Sequence, residues 1–139
     1  MRTIFTITFL ALFVASAPAQ PASPAPVRVS EVTAKTTPDD RARQWLTLVD
    51  DGDYDRCWRE AGSALKSRTG RAAWAAQIKA MREPLGAMSS RDLKSIELFR
   101  PDQAVVRYDS VFAHKAVAVE SVTLSLEHGG WSVTDYGVK

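Results

Sequence analysis

The residues that can do chemistry are few. Four carboxylates, Asp50, Asp51, Asp53 and Asp55, crowd one short stretch. Carboxylates at alternate positions can supply oxygen ligands to calcium. The stretch fails as a calcium loop, however. Counted from Asp51, the sixth position is Arg56 where glycine is needed, and the twelfth is Gly62 where a bidentate glutamate is needed. Caps and dipole partners at a turn between two helices account for the same residues. His114 and His128 are the only imidazoles, and neither has ligand spacing. The chain has no G-x-S-x-G elbow, G-x-G-x-x-G turn or P-loop. No metal site and no cofactor is implied.

Two further sets carry a hypothesis. Tyr108 and Asp135 form the one acid–tyrosine dyad that strand alternation permits on an inner face. The aspartate would act as base and the tyrosine as oxyanion donor in proton transfer next to a carbonyl. No catalytic residue is assigned on that basis. Arg82 and Arg91 flank a Pro84-Leu85-Gly86 turn. They are candidate ligand-binding residues, able to hold a carboxylate or phosphate by paired hydrogen bonds. The competing reading pairs them with internal carboxylates such as Glu83, Asp92 or Glu120, which would pin a helix to a sheet.

The elements that must position these groups follow from periodicity. Pro38-Asp39-Asp40 starts a helix in which Ala42, Trp45, Leu46 and Val49 share one face. Asp50 to Asp53 ends it, with Gly52 at the stop and Asp53 as the next cap. Tyr54, Cys57, Trp58, Ala61 and Leu65 repeat the helical spacing as a second helix. A third starts at Thr69-Gly70-Arg71, carries Trp74, Ile78 and Met81, and ends at Pro84-Leu85-Gly86. Trp45, Trp58 and Trp74 are read as core, as is Cys57.

Beyond Gly86 the period becomes two. Arg91 to Phe99 reads as an irregular, bulged strand, and Pro101-Asp102 as a turn. Ala104 to Phe112 and Ser121 to Glu127 alternate cleanly. His128-Gly129-Gly130 reads as a hairpin turn before a last strand from Trp131 to Val138. Helices followed by a meander describe an α+β domain: three N-terminal helices packed on a curved four-stranded antiparallel sheet, an arrangement that resembles a cystatin-like roll.

Ahead of the domain, Arg2 precedes a 12-residue apolar run, Ile4 to Ala15, followed by Ala17-Pro18-Ala19. The run is shorter than the roughly 20 residues of a membrane span. It reads as a signal peptide over residues 1–19, cleaved before Gln20. Residues 20–38 read as a Pro/Ala-rich linker, and 39–139 as the single domain. No stable membrane span is expected after cleavage, and the address is periplasmic or secreted.

Composition narrows the classes further. The 139 residues hold 45% hydrophobic side chains and carry a net charge of +2. This is one globular domain without the basic stripe of a nucleic-acid partner. One cysteine excludes an internal disulfide and a multi-cysteine metal site.

Trp45-Leu46, Val49-Asp50, Gly52-x-Tyr54-x-x-x-Trp58 and Ala61 resemble the opening of an exported bacterial family known as domain of unknown function 4019. Trp74, Arg82, Pro84-Leu85-Gly86, Arg91, Glu120 and Gly130-Trp131-x-Val133-x-x-Tyr136 continue the likeness. Where the family tends to have serine this chain has Cys57. The resemblance implies export and supports the fold, and adds nothing about chemistry; the expected architecture is itself similar to a cystatin-like or nuclear-transport-factor-like cone. The expected role is an exported, non-catalytic binding or interaction module, taking a small ligand or an envelope protein on the concave face. The alternatives are a small isomerase- or dehydratase-like enzyme and a structural subunit that dimerises through its sheet.

Overall fold

The computed structural model describes residues 36–139, so the expected leader and nearly all of the linker lie outside the described residues. Helix α1 (Pro38–Asp50) starts on a capping box. The Thr37 hydroxyl accepts from the Asp40 amide, and the Asp40 carboxylate accepts from the Thr37 amide. Pro38 is thus the first residue of this helix. Ala42, Trp45, Leu46 and Val49 are all buried, as their spacing requires.

The second stripe is not one helix. It divides into α2 (Tyr54–Glu60) and α3 (Ser63–Arg68), so α4 (Arg71–Arg82) is the fourth helix rather than the third. The break sits at Ala61-Gly62, where the backbone turns extended. There the Gly62 amide donates to the Val133 carbonyl across 2.7 Å. A side chain at Gly62 would stand 2.9 Å from a Glu127 carboxylate oxygen and 3.1 Å from the Thr134 methyl. The chain stops being helical in order to touch the last strand, and helical spacing continues on both sides of that contact.

Helix α4 runs into a single 3-10 turn (Glu83–Leu85). Gly86 follows with φ +74, and a side chain there would meet Ala113 and His114 at 3.0 Å. This position therefore needs glycine twice over.

Four strands follow in a simple antiparallel meander: β1 (Met88–Arg100), β2 (Gln103–Phe112), β3 (Lys115–Glu127) and β4 (Gly130–Val138). β1 is bulged as expected, with register shifts at Lys94 and Phe99 among others. His114 and His128 both lie in strand turns. The core is built from all four helices, α3 contributing Leu65, and the inner faces of β2 to β4. At its centre the Trp45 ring meets Trp74 edge-on at 5.7 Å and Tyr136 at 5.6 Å. The Trp45 indole N–H is satisfied by the Cys57 carbonyl at 3.0 Å. Cys57 is buried, and burial pushes its thiol up to about 12. Trp58 is half-buried at the edge of this core and donates to the Thr69 carbonyl.

Candidate functional site

Glu120 points inward from the middle of β3 and has no exposed surface. An isolated carboxylate there would be very costly. Five donors surround it instead. Oε1 accepts from Arg82 Nη1 at 2.9 Å, from Arg91 Nη2 at 3.1 Å and from the Tyr136 hydroxyl at 2.7 Å. Oε2 accepts from Arg91 Nε and from the Ser110 hydroxyl, each at 2.6 Å.

Asp50, the last residue of α1, closes the group from the other side. Its Oδ1 accepts from Arg82 Nη2 at 2.7 Å and Arg91 Nη2 at 2.9 Å, and its Oδ2 accepts from Arg91 Nη1 at 2.8 Å. Two guanidiniums thus face two carboxylates, and the cluster is electrically balanced. It joins α1, α4 and all four strands. The Arg82 guanidinium also lies over the Phe112 ring at 4.6 Å.

The electrostatics fix the protonation states. Burial alone would raise the Glu120 carboxyl. Hydrogen bonds from Arg91, Ser110 and Tyr136, with the charge of Arg91, outweigh burial and hold it below the usual carboxylate range. Tyr136 is pushed up, first by burial and then by the Glu120 charge. Arg91 would be lowered by burial, but Asp50 and Glu120 raise it above its ordinary value. Glu120 is therefore a fixed anion and Tyr136 a fixed donor.

The sequence-derived candidates separate accordingly. Arg82 and Arg91 do meet, and Glu120 is the internal partner named for them. Glu83 and Asp92 are not partners. Glu83 pairs with Lys79 on the surface. Asp50 is a partner that spacing did not single out, because it sat within the acidic stretch at the helix turn.

Tyr108 and Asp135 are not brought together. The Tyr108 hydroxyl donates to Asp39 Oδ1 at 2.7 Å, at the start of α1. Asp135 lies on the outer face and pairs with Arg68 at 3.3 Å. The cause is a bulge in β4: Thr123 pairs with Asp135 but Leu124 pairs with Val133, leaving Thr134 extra. That one residue turns Asp135 outward and Tyr136 inward, and strict alternation from Trp131 puts them the other way round.

Two other residues of the acidic stretch are engaged locally. Asp53 caps α2 through the Arg56 amide, and Asp55 pairs with Arg59 and Arg71. Among the described residues no three His, Cys, Asp or Glu side chains gather as metal ligands. No helix among them is long and apolar enough to cross a membrane.

Open space lies outside the cluster. A groove of about 370 Å3 runs between α1 and the start of β1, lined by Arg43, Thr47, Asp50, Ser89, Ser90 and Arg91. A second cleft of about 240 Å3 continues past Asp50 toward Tyr54 and Gly86. The concave face itself is filled: Tyr108, Val106, Val122, Leu124 and Val133 are all buried beneath the helices.

Comparison with known proteins agrees with this architecture. A structure described as an NTF2-like transpeptidase from Campylobacter jejuni superposes with a TM-score of 0.54 at 15% identity, covering 70% of this chain and 96% of that one. One described as a calcium/calmodulin-dependent protein kinase type II association domain from Thiobacillus denitrificans gives 0.56 at 15% identity, covering 75% and 94%. At such identity the likeness establishes the NTF2-like fold and nothing of activity. No protein with curated function matches the sequence. The model of a family described as protein of unknown function, DUF4019, matches residues 41–136. The aromatic core, the Arg82–Glu120–Arg91 cluster and nearly all of the fold fall within that match, and the chain belongs to this family.

Proposed function

We propose that the protein is an exported, non-catalytic binding module of the cell envelope, and that its ligand lies in the groove beside Asp50. One observation carries the reading. Glu120, the carboxylate buried at the centre of the described residues, is held by five donors and kept below the usual carboxylate range. A base needs a lone pair directed at substrate and a poised pKa. Glu120 has neither, and its neighbour Tyr136 is committed to it.

The groove supports a polar ligand. Ser89 and Ser90 offer hydroxyls, Arg43 a guanidinium, and Asp50 the outer edge of its carboxylate. The expected signal sequence supports export. N-terminal sequencing of protein recovered from the exported fraction should begin at Gln20, and an intact Met1 overturns that assignment.

Two experiments test the site. Native mass spectrometry of the gently purified mature protein should show a retained small molecule, lost when Ser90→Trp fills the groove. Enolisable ketones incubated with the protein in D2O should exchange their α-protons no faster than in buffer. Protein-dependent exchange abolished by Glu120→Gln overturns the reading in favour of proton transfer.

A further inference from the structure

The two edges of the sheet are treated differently. The edge of β4 is occupied: the Gly62 amide donates to the Val133 carbonyl, and Arg68 donates to the Thr134 carbonyl at 2.7 Å. The outer edge of β1 has no backbone partner among the described residues. An edge of 13 residues left open among the described residues invites a strand.

β1 also carries apolar side chains that the helices do not cover. Leu93, Ile96 and Leu98 lie opposite Tyr108, Val106 and Ala104, so they share the core-facing side of the sheet. They are nonetheless 42%, 44% and 64% exposed. The charges of β1 follow an order. Lys94 is engaged by Asp109 and Glu97 by Arg107 on the outer face. Asp92 and Arg100 form no ion pair among the described residues. They lie on that same outer face, four positions before and four positions after Ile96.

We infer that β1 pairs antiparallel with β1 of a second copy of this chain, about a two-fold axis at Ile96, joining two meanders into one eight-stranded sheet. This register sets Asp92 of each copy opposite Arg100 of the other, twice by symmetry. It places Glu97 opposite Ser95, and Ile96 against itself on the core-facing side. The bulges at Lys94 and Phe99 fall on either side of the axis, leaving Ser95 to Glu97 as the regular centre of the pairing. Bulges and charges normally keep strands from joining an edge. Here the charge order repels an arbitrary strand and matches its own antiparallel copy. The self-matching charge order is what selects a second copy over an unrelated partner. A C2 contact needs one self-complementary patch, and β1 supplies it.

Sedimentation or light scattering over a range of concentrations tests this on the mature chain. The expected result is a dimer that dissociates on dilution. Asp92→Arg and Arg100→Asp should each weaken it by about tenfold or more, since each sets two like-charge pairs across the axis. The double variant D92R/R100D should restore it. Both positions are exposed, so the variants should melt with the unaltered fold.

Ile96→Cys gives an independent readout. Opposed residues in an antiparallel pair lie about 4.5–5.5 Å apart, within disulfide range. Oxidation by dioxygen over a copper catalyst should cross-link this variant, and should not cross-link Val117→Cys at the far, 81% exposed end of β3. Cys57 is buried and does not compete. A monomer at every concentration overturns the proposal and leaves the edge to a different protein. A dimer indifferent to the single reversals, or not restored by the double one, also overturns it and points to the outer face near Val111 and Val117.

Discussion

Arg91 donates from Nε to Glu120 across 2.6 Å, over the back of β2, and so ties the edge strand to β3 directly. Such a bond would be expensive to bury alone. It is stable because Asp50 and Arg82 complete a balanced set of two positive and two negative groups. The cluster thereby ties α1 and α4 to the inner face of the sheet.

Glu120→Gln should lower the unfolding free energy by about 3–5 kcal/mol in a urea titration, because it leaves two buried guanidiniums with one carboxylate. Tyr136→Phe removes one neutral donor and should cost only about 1–2 kcal/mol. A Glu120→Gln loss below about 1 kcal/mol would show that the cluster does not hold the fold together.

Acid should destabilise the protein through the same group. The Glu120 carboxyl is held below its ordinary value when folded. Its contribution is therefore complete above the unfolded value of about 4.3 and is lost as pH falls through the lower folded value. Melting temperature measured from neutrality to about pH 3 should fall more steeply for the native chain than for Glu120→Gln. Parallel curves would assign the acid sensitivity to other carboxylates.

The Cys57 thiol should be silent. With its pKa pushed up to about 12 by burial, it should not react with an aromatic disulfide reagent at pH 8. It should react fully once the chain is unfolded in denaturant. Rapid labelling of the native protein would contradict its placement behind Trp45.

Gly62 should resist replacement. Gly62→Ala places a methyl group against Glu127, Thr134 and Ser132 and should cost about 1–3 kcal/mol. Gly137→Ala, where nothing lies within 4 Å, should be neutral or slightly stabilising. Equal effects at the two sites would mean that the junction between α2 and α3 is looser than its contacts imply.

Much of the fold was legible in periodicity. The stripe Ala42, Trp45, Leu46, Val49 is buried as read, and the strand turns at Pro101-Asp102 and His128-Gly129 fall where expected. The hairpin turn takes φ of 51 and 83 at its two residues. The break at Ala61-Gly62 was not legible. Ala61 and Leu65 keep helical spacing across it, and the cause is a contact with β4 some 70 residues away.

The candidate site divides along the same line. Residue types and spacing by themselves determined the α+β class and the interest of Arg82, Arg91 and Glu120, and resemblance supplied the family. Tertiary structure alone decided that Asp50 is the fourth member, that Tyr136 donates to Glu120, that Tyr108 donates to Asp39 rather than meeting Asp135, and that Asp135 faces out. The physical reason is that local sequence encodes period, which survives in every context. One extra residue in a strand reverses every side chain beyond it, and Thr134 reveals itself as that residue only against the register of β3. Ion pairs between residues 32 to 41 positions apart likewise exist only once the sheet has curved beneath the helices.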